Sequence, residues 1–141
     1  MHTREPSLRI GIVGCGNISM AYLRNAPLFR GVEIVACADI NPDAAARRAA
    51  EFGIRAMEVE ALIADPAVDL ALNLTIPVAH FDISMAALSA GKHVFTEKPL
   101  AVEAEAGRAL VLAAASGRQR CNRPLTQPAP VPTAASARPW S

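Results

Sequence analysis

Three short groups of residues carry types that could do chemistry. Gly14-Cys15-Gly16 forms a glycine turn after an apolar run, Asp39 stands 23 residues beyond Gly16, and Glu97-Lys98-Pro99 sets an acid, a base and a ring-locked residue side by side. In the turn, the first glycine permits a tight bend and the second lets backbone approach a pyrophosphate. A helix starting at Asn17 and Ile18 would offer that anion free N–H groups and the positive end of its dipole. The third glycine of the dinucleotide pattern is absent, and Ser19, also small, occupies its place. Without further context such a turn needs only two unusual φ values and no ligand.

Asp39 adds that context. A carboxylate ending the second strand is where dinucleotide folds hold the adenosine ribose hydroxyls. It would also repel a 2′-phosphate, and Ile40 and Asn41 follow it rather than an arginine, so NAD is favoured over NADP. The competing reading is an Asx turn capping the next helix. Asn41 can fill that role, which leaves Asp39 for the ribose. Arg47 and Arg48 are expected on a solvated helix face.

These residues must be positioned by alternating strands and helices. Apolar strand-like runs cover 8–13, 32–38, 54–57, 68–74 and 93–96. Between them lie helical patterns at 17–26, from Pro42 to Gly53, at 59–64 and from Pro77 to Ala90, and a last helix covers 102–116. Asn41 is a predicted N-cap with Pro42 in the first helical position. Near-continuous apolar strands alternating with helices indicate right-handed βαβ units around a mostly parallel sheet, an α/β fold of the Rossmann, doubly wound type. In such a sheet ligands bind beyond the carboxyl ends of the strands, and Glu97-Lys98 lies at such an end.

The chain has 141 residues, enough for one core; 52% are hydrophobic, 19% charged, and the formal net charge is +1. That balance gives no basic field for nucleic acid. The start of the chain lacks the apolar region of a signal peptide, and no run is long enough to span a bilayer, so a cytoplasmic protein is expected. Cys15, Cys37 and Cys121 match no metal-ligand spacing and read as reduced thiols; no metal site is expected. Residues 1–117 form the expected dinucleotide-binding domain. Residues 118–141 contain four arginines, five prolines and no acid, and are expected to be disordered.

The arrangement "GIVGCGNIS … ACADINP … VDLALNLTIPVAHFDISMAALSAGKHVFTEKPLAV" resembles the N-terminal domain of the glucose-fructose oxidoreductase, inositol dehydrogenase and MocA (Gfo/Idh/MocA) family over about residues 8–117. "AGKHVFTEKPLA" is the most specific part of the likeness. The resemblance implies an oxidoreductase that moves hydride between a nicotinamide cofactor and a sugar or polyol hydroxyl. By position it makes Lys98 the catalytic group, reaching both cofactor and substrate and polarising the hydroxyl that loses its proton, with Glu97 beside the nicotinamide ribose. It puts Thr75 and Pro77 along the cofactor cleft, beside Gly14, Gly16, Asn17, Ile18 and Asp39. His80 matches too, but a lone histidine in a first helical turn reads as structural and is assigned no proton transfer.

Family members continue into a larger α/β domain that supplies the substrate pocket. The arginine and proline tail stands where that domain would begin, so the sequence reads as a truncated form with little activity alone. The missing cover should leave an apolar sheet edge exposed and favour a homo-oligomer. The alternative reading is a non-catalytic NAD-binding module or sensor. A methyltransferase using S-adenosylmethionine would share the turn and the acid, but not the Glu-Lys-Pro group.

Overall fold

The computed structural model describes residues 7–96 and 104–117. Its strands are β1 (Leu8–Val13), β2 (Val32–Ala38), β3 (Arg55–Met57), β4 (Leu70–Asn73) and β5 (His93–Thr96). Its helices are α1 (Asn17–Asn25), α2 (Pro42–Phe52), α3 (Val59–Ala64), α4 (Pro77–Ser89) and α5 (Ala104–Gly117). The strands form one sheet in the order β3-β2-β1-β4-β5, and every pairing is parallel. The chain winds outward from β1 to β3, then returns to place β4 on the other side of β1. The junction of β1 and β4 is therefore the switch point, where the loops leaving the strands diverge and open a crevice.

Side chains alternate along the strands, so each face has its own packing. Ile12, Leu70 and Leu72 pack with Leu23 of α1 and Ala45 of α2. On the opposite face Val13, Ala36 and Ala38 meet Leu62 of α3, and Ala71 and Val94 meet Ala87, Leu88, Leu110 and Ala114 of α4 and α5. With helices on both faces the sheet is doubly wound, as the continuous apolar strands predict.

The predicted helix borders follow local chemistry closely. Asn41 Oδ1 accepts from the Asp43 N–H at 3.0 Å, and Pro42 opens α2. Gly53 closes α2 with φ +68°, a left-handed conformation in which a Cβ would be strained. Strand borders shift more. Ile54 donates its N–H to Ala49 O in the helix cap, so β3 begins at Arg55 rather than 54. The strand predicted over 68–74 pairs only from Leu70 to Asn73. The helix predicted over 17–26 stops at Asn25, and a 3-10 turn at Ala26–Leu28 absorbs Pro27.

The rim at the amino ends of the strands is closed by its own charges. Asp69 accepts from the Arg9 backbone N–H at 2.8 Å and from Arg9 Nε and Nη2, both at 3.1 Å. Arg55 Nη2 donates to Asp65 Oδ2 at 2.8 Å, and the largely buried Lys92 donates Nζ–H to the Asp65 carbonyl at 2.5 Å. Among the described residues no helix is long and apolar enough to cross a membrane, and no cluster of three His, Cys, Asp or Glu could hold a metal.

Candidate functional site

The opposite rim is built from the loops that leave β1, β2 and β4. Gly14 follows β1 with φ +107°, and its N–H donates to Ala38 O at 2.8 Å. A Cβ there would lie 2.6 Å from the Leu74 carbonyl carbon and 2.7 Å from its oxygen. Only glycine fits, because the bend passes directly over the backbone leaving β4. Gly16 is different. Its φ is −76°, and a Cβ would meet nothing within 4 Å. The space beside it is open, as close approach by a ligand backbone would require.

Gly16 is also the N-cap of α1, with no side chain capping it and no acid in the first turn. Asn17 and Ile18 are exposed there. The first turn of a helix carries N–H groups without intrahelical partners, and these point toward an anion.

Asp39 ties this turn to β2. Its Oδ2 accepts from the Cys15 N–H at 2.7 Å and its Oδ1 from the Asn41 N–H at 2.8 Å. The second bond is the Asx-turn contact weighed against a ribose role, so both features occur in one carboxylate. Each carboxylate oxygen has a further lone pair, which leaves acceptor capacity for hydroxyl groups.

Thr75 lies just past β4, held by a network that the sequence reading did not identify. Asn73, fully buried, accepts at Oδ1 from Thr75 Oγ1 at 2.6 Å and Thr75 N–H at 3.2 Å. Its Nδ2 donates to Ser84 Oγ at 2.9 Å and to His80 O at 3.0 Å. His80 Nε2–H donates to the Thr75 carbonyl at 2.6 Å; a carbonyl can only accept, which fixes the tautomer. His80 therefore holds the loop in shape, as expected for a structural histidine. The only sequence signal for Asn73 was an amide inside an otherwise apolar strand. Pro77 opens α4 and is exposed, as are Ile76 and Val78 on either side.

Arg48 corrects the sequence expectation. Arg47 is exposed as anticipated, but Arg48 turns inward, its side chain only 16% exposed. Its Nε donates to Ser19 Oγ at 3.2 Å and its Nη2 lies 3.5 Å from Gly16 O, while Nη1 pairs with Glu51 at 3.2 Å. Spacing on α2 placed both arginines on its outer face, because nothing local showed that α1 lies alongside. Arg47 and Arg48 line a polar cavity of about 360 Å³ together with Cys15, Gly16, Asn17 and Asp39.

The structure thus brings Gly14, Gly16, Asn17, Ile18, Asp39, Thr75 and Pro77 to one rim of the sheet. Glu97 and Lys98 lie outside the described residues, as do Cys121 and the tail 118–141. Cys15 and Cys37 are buried free thiols. Hydrogen bonding with Cys37 and burial push the Cys15 thiol well above its usual range, which makes it a poor nucleophile.

Residues 8–122 match the oxidoreductase family with the NAD-binding Rossmann fold. Inositol 2-dehydrogenase of Pseudomonas savastanoi is 40% identical over 118 residues, covering 80% of this chain and 35% of that protein. Biliverdin reductase of Synechocystis, solved with biliverdin and NADP+, is 35% identical with a TM-score of 0.76, over 81% of this chain and 36% of its own. The WlbA dehydrogenase of Bordetella pertussis, solved with NADH and UDP-GlcNAcA, is 30% identical with a TM-score of 0.76, over 81% and 35%. The chain spans about a third of the length of these relatives. By this match, and by the Rossmann sheet that carries its glycine turn, the chain belongs to the Gfo/Idh/MocA oxidoreductase family, in its nicotinamide-dinucleotide-binding part.

Proposed function

We propose that this chain is the NAD-binding part of an oxidoreductase acting on a sugar or polyol hydroxyl, with residues 1–117 as the binding domain and 118–141 as a separate tail. The observation that carries this reading is the tie between Asp39 and the Cys15 N–H, which joins the carboxylate to a glycine turn whose second glycine faces open space. The residues fit the cofactor. Gly14, Gly16, Asn17 and Ile18 would take the pyrophosphate at the start of α1. Asp39 would accept from the adenosine ribose hydroxyls. Thr75 and Pro77 would line the side of the cleft beyond β4, with Glu97 near the nicotinamide ribose.

When bound, the nicotinamide supplies a hydride acceptor or donor. Lys98 polarises the substrate hydroxyl and stabilises the oxygen as its proton leaves. A lysine suits that task because its ammonium is a compact donor whose pKa responds to desolvation. NAD is favoured over NADP because the Asp39 carboxylate would repel a 2′-phosphate. The relatives include proteins solved with either cofactor, so titration of the chain with NADH and NADPH decides this point. Tighter binding of NADH is expected, and equal affinity would overturn the preference.

Positioning a substrate against a cofactor can supply about 7–11 kcal/mol of a barrier. About two thirds of each relative's length lies outside the match, and substrate positioning is assigned to that remainder. The 141 residues alone are expected to bind cofactor yet turn over weakly as a soluble, cytoplasmic protein. NAD reduction across a panel of inositols and sugars tests this, and a rate near that of an intact dehydrogenase would refute it. With the remainder of a relative supplied in trans, Lys98→Ala should abolish turnover while weakening NADH far less, since the lysine reaches both cofactor and substrate. A non-catalytic module would show no turnover even with wild-type Lys98, while turnover that survives Lys98→Ala would take the catalytic role away from this lysine.

A further inference from the structure

Ser19 stands where dinucleotide turns carry a third glycine, and it is completely buried. Its hydroxyl is committed on both sides, donating to Gly16 O at 2.6 Å and accepting from Arg48 Nε at 3.2 Å. The guanidinium also approaches Gly16 O at 3.5 Å and is braced on α2 by Glu51 at 3.2 Å. Gly16 O is thus addressed by a hydroxyl and a cation, and by the Ser19 N–H at 3.1 Å. As the N-cap carbonyl of α1 it accepts from the helix behind it, so its negative end does not compete with an anion for the N–H groups of the α1 first turn.

We infer that Arg48 is a positioning residue for the glycine turn: through Ser19 Oγ and Gly16 O it locks the turn in its anion-accepting form, a task the third glycine performs by close packing alone in the usual pattern. This rests on the proposed cofactor reading for its purpose, but the lock itself is a property of the chain without ligand. Arg48 acts through Ser19 and need not touch the cofactor. A competing role for the same side chain is direct contact with a 2′-phosphate, since Arg48 lines the cavity beside Asp39.

Amide hydrogen exchange without cofactor separates the two. In Arg48→Met, exchange of the Ser19 amide, which donates to Gly16 O, and of the Met20 amide behind it should rise about tenfold, the loss expected for one charge-assisted hydrogen bond, while Val94 in β5 stays protected. Ser19→Ala should raise the same amides, and the double variant should add little to either single change, because both remove one link. Arg48→Lys, which keeps the charge but not the fork, should fall between wild type and Arg48→Met. Unchanged exchange in Arg48→Met, or additive effects in the double variant, overturns the inference whether or not the chain binds NADH. If the wild type binds, Arg48→Met should weaken NADH and NADPH by the same factor of about five to ten. A loss confined to NADPH assigns Arg48 to the phosphate instead and also overturns it. Failure of wild type to bind either cofactor, with the exchange pattern as predicted, refutes the proposed function and leaves the lock standing.

Discussion

The two rims of the sheet use similar residues to opposite ends. At the amino rim, Arg9, Asp69, Arg55, Asp65 and Lys92 are turned on one another, and the Arg9–Asp69 pair joins β1 to the segment entering β4. At the carboxyl rim, Asp39 binds two backbone N–H groups and, among the described residues, no arginine or lysine, while α1 begins uncapped beside open space. No buried side-chain nitrogen or oxygen lacks a partner among the described residues, so neither rim is poorly made. The difference lies in what is left over. One rim has its charges neutralised internally, whereas the other keeps donors and a carboxylate facing a polar cavity.

That contrast breaks most severely at Gly14. Gly14→Ala forces a Cβ against the Leu74 backbone at a positive φ, with a cost of about 3 kcal/mol or more. Thermal melting should drop by more than about 10 °C, and NADH binding should vanish with it. Gly16→Ala, by comparison, should melt nearly as wild type yet bind NADH weakly, since its Cβ enters empty space. Equal melting losses in the two variants would remove the distinction between a glycine needed by the fold and one needed by the ligand.

Asp39→Ala should weaken NADH about 30- to 100-fold, the loss of charge-assisted hydrogen bonds to the turn and to ribose. Its effect on melting should be the smaller of the two, and calorimetric titration beside a melting curve checks both. Asn73→Leu removes the group that holds Thr75 and Ser84 together, at about 2 kcal/mol. It should loosen the loop after β4, read as faster exchange of the Thr75 amide.

The smallest effect is expected at the amino rim. Hydrogen bonds from Arg9 hold the Asp69 carboxyl below its usual value of 3.8, so its contribution is complete above that pH and fades as pH falls through the lower folded value. Asp69→Asn should lower melting at pH 7 by only about 2 °C and flatten the decline between pH 4 and pH 2. NADH affinity should not change. A matching loss of affinity would mean that the rims are coupled through β1 and β4.

Much of this was legible in the sequence because it depends on local chemistry. The Asn41 cap, the Pro42 start and the Gly53 stop of α2 each follow from one residue's conformational preferences, and the structure reproduces them. The parallel sheet followed from apolar strands alternating with helices. Strand ends were less legible: β4 stops just after Asn73, which still pairs with Val13 and Thr96 while its side chain binds Thr75 and Ser84, and Ser84 belongs to α4 rather than to the strand. Arg48 was misread for the same reason. Its partners Ser19 and Gly16 lie about thirty positions earlier, and only the packing of α1 beside α2 brings them within reach. The acid–lysine pair at 97–98 was the most specific family feature in the sequence, and it lies outside the described residues.

One rim is a ligand surface and the other a structural seam. Amide chemical shifts recorded while NADH is added to the 141-residue chain test this directly. Saturable shifts are predicted for Gly14 to Ile18, Asp39 to Asn41 and Thr75 to Ile76, with Arg9, Asp69 and Lys92 unmoved. Shifts centred on the Arg9 and Asp69 rim, or none at the glycine turn at millimolar NADH, would contradict it.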